Sequence, residues 1–586
     1  MRKIIRASEA LWFLLIPFFS IALVAVMEPA LRVHFSIGLL LLNALPVMLG
    51  LFVIYALSGR ALFSLWVGGT IALVLYIVSA IKLQNMNAPL MPGDAVLIGQ
   101  LFRNLDLFSQ YAGSIALLVI GLLAFIAICW LLWRMERQGA RGWRVRVPVL
   151  VVALALNYCV YQGVEPWAAA YGNNRVVKFA LWDPATSVQR NGLMLGMVRL
   201  TQEKKVEVPK SDKGLVDAFV QQHEGLIKTR MNRTLPTELP DIVIVQSEAF
   251  FEPGIMNKVQ DGQYDPNFER LAATGITGEL GTPAYGGGTI RTEFEVLSGY
   301  PMMAFPSVSY PYYGLAQHWM PTVPQRLRKF GYQTTLYHPF KGSFWNRNTV
   351  MPSIGFEATH FLPDFKHAPR AGAHVSDRAL FGRVLNYLQH AGSSPQLVMA
   401  ITMENHGPWA NEVSGLDHPV TKADLPAGLS GKGLMEMRYY ISHLENGDQA
   451  LGDFAAKLMQ RKRWTVLLFY GDHLPALSHA FRQLGFDNGK THGFQHTRYM
   501  IVSNRPMPSR KLDLHAFEVP SLLFDTIGLP EDGYLAIDGA VREASGGQYV
   551  KKGSHLDKVA FNAARMEVSC KHRINAEQGD CSKSVQ

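Results

Sequence analysis

The sequence contains the stretch Tyr285-Gly286-Gly287-Gly288-Thr289-Ile290-Arg291-Thr292-Glu293-Phe294-Glu295-Val296-Leu297-Ser298-Gly299. Its three consecutive glycines allow a tight backbone turn. Ile290, Phe294 and Leu297 then recur at helical spacing until Gly299 ends the pattern. Thr289 is therefore predicted to lie at the N-terminus of a helix. Free backbone N–H groups and the helix dipole favour an anion there, either an alkoxide on Thr289 or a bound phosphate. A glycine turn with a threonine N-cap is the alternative interpretation.

Five apolar runs without charged side chains lie in the first 164 residues. Each is close to the roughly 17–25 residues that span a bilayer, so residues 1–164 are predicted to form a five-helix transmembrane domain. No small-residue cleavage site follows the first run, and we expect it to be an anchor rather than a signal peptide. The runs are Leu11–Met27, Ile37–Leu57, Leu62–Ile81, Ala112–Trp133 and Val147–Val164.

Basic residues predict the orientation of these helices. Five arginines between residues 134 and 146 crowd the loop between the fourth and fifth runs, and Arg2, Lys3 and Arg6 precede the first run. Because short loops rich in Lys and Arg stay in the cytoplasm, five spans that start inside must end outside. Everything after Val164 is therefore predicted to lie outside the cytoplasm, next to the inner membrane.

Charge and cysteine usage support this division. Residues 1–164 hold twelve Lys or Arg and five Asp or Glu, so the rest of the chain is nearly balanced although the total formal charge is +10. This balance makes nucleic acid a poor candidate partner. Cys129 and Cys159 lie in apolar runs, where a thiol usually only packs. Cys570 and Cys581 lie in the exported tail, where disulfides persist, and are predicted to pair.

The predicted organisation has four parts. A segment near residues 94–108 has apolar residues at helical spacing but is too polar to span a bilayer, which favours a helix lying in the outer interface. A polar, mixed segment after the last span is predicted to connect the membrane to a globular domain. The parts are the transmembrane domain over 1–164, the connector over 165–239, the catalytic domain over 240–545 and a tail over 546–586.

Short β-branched runs alternate with helical patterns after residue 240, which predicts an α/β domain with a mostly parallel central sheet. Polar residues follow each run: Glu248, His338, His406 and the pair Asp472-His473. The ligand crevice of an open α/β sheet lies beyond the carboxyl ends of its strands, so these residues are expected to converge. The predicted strands are Ile242–Val245, Thr334–Tyr337, Leu397–Thr402 and Thr465–Tyr470.

The converging residues suit a metal-assisted reaction. Glu248, Asp472 and His473, together with the oxygen of Thr289, would complete a four-ligand shell around one divalent cation. Three oxygens and one nitrogen favour Mn²⁺ or Mg²⁺, although Zn²⁺ also accepts such a set. A metal in contact with Thr289 would lower its pKa and create a nucleophile. An Asp-His pair that is only structural is the alternative for Asp472 and His473.

Two further motifs offer contacts to a phosphate. Trp345 and Arg347 supply an aromatic wall and a guanidinium suited to bidentate binding, or else a buried aromatic cluster with a solvated arginine. His406 could hold or protonate a phosphate oxygen, or be a histidine satisfied within its loop. His479, His492 and His496 follow the Asp-His pair without a defined role, and only His496 is predicted to line the cleft.

Taken together, the motifs resemble the lipoteichoic acid synthase and phosphoglycerol transferase I family, membrane members of the sulfatase and alkaline phosphatase superfamily. The five apolar runs match as well, so the likeness covers nearly the whole chain. Pro339 and Phe340 depart from the pattern, because some relatives carry an acidic residue there. The matching motifs are Ser247-Glu248, Gly287-Gly288-Thr289 with Glu293-Phe294, Phe344-Trp345-Asn346-Arg347, Asn405-His406-Gly407 and Gly471-Asp472-His473-Leu474-Pro475.

The resemblance implies a sulfatase-like fold, a nucleophile at Thr289 and transfer of phosphoglycerol from phosphatidylglycerol to a periplasmic glucan or a teichoic-type polymer. It also implies metal binding and headgroup contacts, the latter extended to His338. Phosphoethanolamine transfer to lipid A or a glycan, and a non-catalytic membrane sensor that kept the fold, are the alternatives. The implied metal ligands are Glu248, Thr289, Asp472 and His473, and the implied headgroup contacts are His338, Trp345, Arg347 and His406.

Overall fold

The computed structural model divides into two compact units, Met1–Val206 and Glu207–Gln586. The division falls inside the segment 165–239 that the sequence predicts as a connector. The other predicted domain limits stay predictions. The residues described are 2–33, 35–86, 88–95, 97–99, 112–136, 142–173, 175–179, 184–202, 210–306, 308–313, 315–316, 320–407 and 413–577.

The first unit is helical. Among the residues described, three of its helices are long and apolar enough to cross a membrane, Ile37–Ser58, Ala61–Gln84 and Trp143–Gln162, and two shorter apolar stretches are Leu15–Met27 and Val119–Met135. An apolar helical N-terminal domain is thereby confirmed, whereas the count of five spans is not. Its described helices are Arg2–Met27, Pro29–Val33, Ile37–Ser58, Ala61–Met86, the 3-10 turn Pro92–Asp94, Ala112–Met135, Trp143–Gln162, Trp167–Tyr171, Pro184–Asn191 and Leu193–Gln202.

Two buried polar side chains fix the last helix of this unit to its apolar helices. Glu28 and Asn43 accept hydrogen bonds from the backbone N–H groups of Leu193 and Leu195, at 2.8 and 2.9 Å. The first turn of a helix has N–H groups without an intrahelical partner, and burying them unpaired would be costly. Helix Leu193–Gln202 is therefore an integral part of the first unit.

Two predictions fall on residues outside the described ranges. Most of the interfacial helix predicted near 94–108 lies in the undescribed part of the chain. The predicted pairing of Cys570 with Cys581 falls partly there as well, because Cys581 lies beyond the described residues. Both stay predictions.

The second unit is built around a mixed sheet. The described strands are β1 (Asp241–Ser247), β2 (Ile276–Gly281), β3 (Gln333–Tyr337), β4 (Ala358–His360), β5 (Arg370–Ala371), β6 (His374–Val375), β7 (Gln396–Ile401), β8 (Thr465–Gly471), β9 (Thr497–Ser503), β10 (Arg510–Lys511) and β11 (Leu514–His515). In spatial order they run β10-β2-β9-β8-β1-β7-β3-β4, with β11 also paired to β2, and β5 and β6 form a separate pair.

The four strands predicted from the sequence are the adjacent strands β8, β1, β7 and β3 in the middle of this sheet. They pair in parallel, and β1, β7 and β8 are buried along their whole length. Such strands are covered on both faces and therefore form continuous apolar runs, which is why they were detectable. β9 is antiparallel to both β8 and β2. The predicted α/β domain with a mostly parallel sheet is confirmed, and β9 makes it mixed.

Helices cover this sheet. One apolar core joins Val243 of β1 and Val398 of β7 to the long helices Asp377–His390 and Gly431–Met459. The remaining helices and 3-10 turns of the second unit, among the described residues, are Lys213–Gln222, Glu224–Met231, Pro253–Ile255, Pro266–Ala272, Ile290–Ser298, Met302–Ala304, Pro311–Tyr313, Val323–Arg328, Phe344–Asn346, Arg347–Ser353, Leu362–Phe365, Lys422–Asp424, Ser478–Leu484, His492–Phe494, Ala516–Glu518, Val519–Ile527, Gly533–Ala544 and His555–Glu577.

Asp265 makes the stability of this domain depend on pH. Its side chain is completely buried, and neither carboxylate oxygen has a hydrogen-bond partner among the described residues. Burial, then the nearby acids Glu252, Asp448 and Glu269, raises the pKa of Asp265 from 3.8 to about 8. The pKa of Asp265 is therefore higher in the folded protein than in the unfolded chain. Its contribution to the free energy of unfolding is fully present below pH ~4 and is lost as pH rises through ~8.

We therefore expect Asp265→Asn to match the wild type in stability near pH 4 and to become the more stable protein as pH rises to 8. Thermal unfolding of both proteins across this range measures the difference. Asp261→Asn, at an exposed position in the same loop, is the control. A stability difference that does not grow with pH would show that Asp265 is charged in the folded protein.

Candidate active site

The carboxyl ends of the central strands lie at one edge of the sheet. In the register of the parallel pairs, Ser247 of β1 stands beside Gly471 of β8, and Tyr337 of β3 stands beside Ala400 of β7. The predicted site residues that follow these strand ends therefore leave the sheet at the same edge, in the position expected for a ligand crevice. They are Glu248, His338, His406, Asp472 and His473.

Three potential metal ligands meet at this edge. Glu248, Asp472 and His473 each offer an atom within 4.8 Å of the others. His473 Nε2 lies 3.5 Å from Glu248 Oε1 and 3.4 Å from Asp472 Oδ2. Thr289 Oγ1 lies 3.5 Å from Glu248 Oε2 and 3.5 Å from His473 Nε2. Atoms bound at about 2.0–2.2 Å to a tetrahedral ion are roughly 3.4 Å apart, so the spacing fits a shared cation better than direct hydrogen bonds.

The electrostatics of this cluster also favour a cation. Burial, then the charge of Asp472, raises the pKa of Glu248 to about 8. Asp472 Oδ2 is buried without a hydrogen-bond partner among the described residues. Two adjacent buried carboxylates are costly unless they are paired or coordinate a metal. The residues present therefore fit one divalent metal ion.

The glycine turn presents Thr289 to these ligands. Gly286, Gly287 and Gly288 have φ values of 61°, 145° and 80°, a region that residues with a Cβ rarely enter. The Gly286 N–H donates to the Leu474 carbonyl at 2.9 Å, which ties the turn to the loop after β8. Helix Ile290–Ser298 begins directly after Thr289, whose side chain makes no capping hydrogen bond. The hydroxyl faces the metal ligands instead, which argues against the N-cap alternative.

Gly471 allows the two loops that carry the carboxylates to approach each other. A Cβ at this position would lie 2.1 Å from the carbonyl oxygen of Phe250. Across the same contact, the backbone N–H of Ala249 donates to Asp472 Oδ1 at 2.8 Å. Ala249 has a left-handed φ of 52°, and such backbone strain persists only where the surrounding structure imposes it. The position of Glu248 is thus set by the backbone of its neighbours.

Arg347 is buried beside the cluster and is held by an acid. Its guanidinium donates to Glu293 through Nε at 3.2 Å and through Nη2 at 2.8 Å. Its Nη1 lies 3.2 Å from His338 Nε2. A guanidinium has five N–H donors, so these contacts with described residues leave one N–H on each terminal nitrogen for a phosphate oxygen. The predicted bidentate contact is compatible with this geometry.

His338 supports Arg347 in this structure. Its Nδ1 lies 3.2 Å from the Ile401 carbonyl, and since a guanidinium only donates, Nε2 must be the acceptor and Nδ1 must carry the proton. Burial, then the charge of Arg347, holds the pKa of His338 well below its usual range, so the ring is neutral. Both ring nitrogens of His338 are therefore engaged by the protein.

Glu293 is a site residue to which the sequence analysis assigned no role. It is completely buried, and besides Arg347 it accepts hydrogen bonds from Tyr312 Oη at 2.6 Å and Gln246 Nε2 at 3.2 Å. The available signal was its spacing: it lies four residues after Thr289, and residues at this spacing share one face of a helix. The helix that carries the candidate nucleophile thus also positions the arginine.

Trp345 and Asn346 lead into Arg347 with left-handed φ values of 57° and 58°. Trp345 packs against Tyr310 and Phe344, with ring centroids 5.3 and 5.1 Å apart. Two consecutive strained residues of this kind are tolerated where the fold over-determines them, typically at functional sites. The aromatic wall predicted from the sequence is present directly before the arginine.

The histidines divide between the site and its surroundings. His406 Nδ1 lies 2.6 Å from the Gly407 carbonyl, so Nδ1 carries the proton. Burial lowers the pKa of His406, which leaves Nε2 of the neutral ring as an acceptor. The three histidines that follow the Asp-His pair have other neighbours. His479 Nδ1 lies 2.5 Å from Glu436 Oε1, His492 packs on Tyr285, and His496, which was predicted to line the cleft, packs on Tyr549.

Comparison with known proteins assigns the class of this domain, which is sulfatase-like. Residues 240–525 match the family described as Sulfatase, and the chain therefore carries a sulfatase-family domain. The resemblance predicted from the motifs is confirmed at this level.

Three known proteins are similar to this chain in sequence or in fold. A cyclic beta-1,2-glucan modification protein of Rhizobium meliloti is 24% identical over 442 residues, 74% of this chain and 67% of that protein. The capsular polysaccharide biosynthesis protein RkpI of the same organism is 33% identical over 245 residues, 41% of this chain and 42% of that protein. The structure of the Streptococcus pyogenes phosphoglycerol transferase GacH has a TM-score of 0.51 and 21% identity, and the match covers 63% of this chain and 97% of that chain. This last similarity shows a shared fold.

We expect Gly471→Ala to separate the two carboxylate loops and weaken metal binding. The added Cβ meets backbone rather than a flexible side chain, so overpacking should cost roughly 1–3 kcal/mol of stability. Thermal unfolding and calorimetric titration with Mn²⁺ measure both effects. Gly382→Ala is the control, because a Cβ there meets nothing within 4 Å and the helix should become slightly more stable. Unchanged Mn²⁺ affinity in Gly471→Ala would refute the role of this close approach.

We expect Glu293→Gln to weaken the binding of inorganic phosphate by roughly tenfold or more while Mn²⁺ still binds, because a neutral amide holds and orients the Arg347 guanidinium less well than a carboxylate. Titration of the Mn²⁺-loaded protein with phosphate gives the affinity. Glu357→Gln, which alters an exposed ion pair with Arg328, is the control. Phosphate affinity equal to that of the wild type would show that Glu293 does not position the arginine.

Proposed function

We propose that this protein transfers phosphoglycerol from phosphatidylglycerol to an extracytoplasmic glycan through a covalent phosphothreonine at Thr289. The observation that carries the proposal is the placement of the Thr289 hydroxyl. It lies 3.5 Å from Glu248 Oε2 and from His473 Nε2 and caps no helix. A buried hydroxyl that faces the candidate metal ligands instead of capping its own helix is suited to attack on phosphorus.

One divalent metal ion, held by Glu248, Asp472, His473 and Thr289, would lower the pKa of the threonine hydroxyl and offset phosphate charge. Mn²⁺ is favoured, because carboxylate and hydroxyl oxygens prefer hard cations, with Mg²⁺ or Zn²⁺ as the other candidates. Arg347 contributes its two remaining N–H groups to the phosphoryl oxygens. Glu293 and His338 keep that guanidinium in place.

In the first step, Thr289 Oγ1 forms a bond to phosphorus, and the bond between phosphorus and the diacylglycerol oxygen breaks. The proton of the threonine hydroxyl ends on the departing diacylglycerol, and the neutral His406 ring offers Nε2 as the group that passes it on. In the second step, the acceptor hydroxyl attacks phosphorus, and its proton returns to Thr289. The two displacements balance without an oxidant, a reductant or a second cofactor.

A lipid donor explains why the catalytic domain would be joined to apolar helices. Phosphatidylglycerol is a membrane lipid, and a domain attached to the same bilayer meets it at a high effective concentration. We propose a multi-pass protein of the inner membrane, with five spans and its catalytic domain in the periplasm. The basic residues within 2–6 and 134–146, next to the apolar runs, support this orientation.

The acceptor class is supported by the relatives. The cyclic beta-1,2-glucan modification protein has a glucan in its description, and RkpI belongs to capsular polysaccharide biosynthesis. A periplasmic glucan is therefore the preferred acceptor, ahead of a teichoic-type polymer. Phosphoethanolamine transfer uses the same nucleophile and metal, and comparison of phosphatidylglycerol with phosphatidylethanolamine as donors distinguishes the two reactions.

We expect Thr289→Ala to abolish transfer and to keep the fold, because losing a threonine at a helix start costs only about 0.5–2 kcal/mol of stability. Thr289→Ser should retain part of the activity, since it keeps the hydroxyl but loses the methyl group that restricts the rotamer. Transfer from labelled phosphatidylglycerol measures activity, and mass spectrometry after incubation with donor alone should find a phosphoglycerol adduct on the Thr289 peptide.

Thr274→Ala is the control for this experiment. The Thr274 hydroxyl donates to the Leu271 carbonyl in a surface turn, so its loss should leave transfer unchanged. Wild-type turnover by Thr289→Ala would exclude the covalent mechanism and would leave only the fold in common with phosphoglycerol transferases.

A further inference from the structure

A continuous wall of rings connects the arginine to His406. Phe344, next to Trp345, packs on Phe340 with ring centroids 5.3 Å apart. Phe340 in turn contacts His374, with centroids 6.2 Å apart, and His374 meets His406 edge to face at 5.5 Å. His374 therefore fills the gap between the aromatic wall and the catalytic candidate His406, although the sequence analysis gave it no role.

His374 is presented by a tight hairpin. The strands β5 (Arg370–Ala371) and β6 (His374–Val375) are joined by two residues, and Gly372 supplies the left-handed turn with a φ of 57°. The Gly372 N–H donates to the Ser414 carbonyl at 2.7 Å, which fixes the hairpin to the chain that returns from the His406 loop. Backbone hydrogen bonds of the hairpin thus fix the position from which the His374 ring extends.

The chemistry of His374 suits a hydroxyl ligand. Burial, then the neighbouring His406 and His443, lowers the pKa of His374 to about 3, so the ring is neutral. A neutral imidazole has one N–H donor and one acceptor nitrogen, the combination that a hydroxyl group can satisfy in both directions. No hydrogen bond from either ring nitrogen to another described residue is present. The side chain of Phe340, which contacts His374 in the wall, has no polar atom and cannot bind a hydroxyl.

We propose that His374 binds a free hydroxyl of the alcohol that is esterified to the transferred phosphate. It thereby selects a glycerol headgroup over a headgroup without a free hydroxyl. The assignment rests on the proposed function and extends it. Arg347 and the metal ion would bind the phosphoryl oxygens, and because the wall from Phe344 to His406 begins beside Arg347, a group attached to that phosphate can lie against it. In this wall His374 is a specificity residue, whereas Phe340 and Phe344 supply only apolar contact.

Two soluble phosphodiesters with the same leaving group test the assignment: glycerol 4-nitrophenyl phosphate and ethyl 4-nitrophenyl phosphate. The burst of 4-nitrophenolate from the full-length, detergent-solubilised, Mn²⁺-loaded protein reports the first displacement without any acceptor. The wild type should prefer the glycerol ester. His374→Phe keeps the ring wall but removes both nitrogens, and it should lower the burst rate on the glycerol ester by roughly tenfold and change the rate on the ethyl ester less than twofold.

Two further variants make the result specific. His374→Asn retains a donor and an acceptor in a smaller side chain and should recover part of the preference, whereas His374→Leu, which also lacks both nitrogens, replaces the Phe variant if that protein does not fold. His390→Phe, on the exposed end of helix Asp377–His390, is the matched control and should behave like the wild type.

A His374→Phe protein that keeps the wild-type preference, or that loses rate on both esters equally, overturns the assignment and leaves the proposed function intact. A wild-type protein that shows no preference, or releases nitrophenolate from neither ester, overturns the phosphoglycerol proposal and this assignment with it.

Discussion

The arrangement of this site depends on placing two carboxylates next to each other away from water. Glu248 and Asp472 lie at the ends of adjacent parallel strands and are almost completely buried. Buried like charges repel strongly unless a cation or a proton intervenes. The close approach at Gly471 and the hydrogen bond from Ala249 to Asp472 force the two groups together all the same. The backbone therefore holds two buried carboxylates close together, and one divalent cation would offset the repulsion between them.

The same constraint explains the second charged pair of the site. Arg347 adds a buried positive charge close to the metal ligands, and Glu293 neutralises it through two nitrogens of the guanidinium. Leaving either partner alone in the interior would be strongly destabilising. Helix Ile290–Ser298 carries Glu293 and begins directly after Thr289, so a single helix positions both the candidate nucleophile and the guanidinium of Arg347. The glycine turn, tied to the Leu474 carbonyl, fixes where that helix starts.

Much of the fold and of the site was predictable because the informative residues occur in local patterns. The strands β1, β3, β7 and β8 are buried apolar runs, and the polar residues directly after them converge whenever such strands pair in parallel. The antiparallel strand β9 and the supporting roles of Glu293 and His338 were not predictable in this way. They depend on partners that are distant in the sequence, such as Ile401 for His338 and Tyr312 for Glu293.

The sequence by itself determined the apolar helical N-terminal part, the α/β class of the second unit and the candidate ligands Glu248, Thr289, Asp472 and His473, because hydrophobic periodicity and residues at strand ends are local properties. Only the tertiary structure decided that the Thr289 hydroxyl caps no helix, that Arg347 is clamped between Glu293 and His338, and that His374 stands beside His406. Those contacts join segments that are far apart along the chain, and the physical reason for them is the packing of buried charges and rings, which no local pattern records.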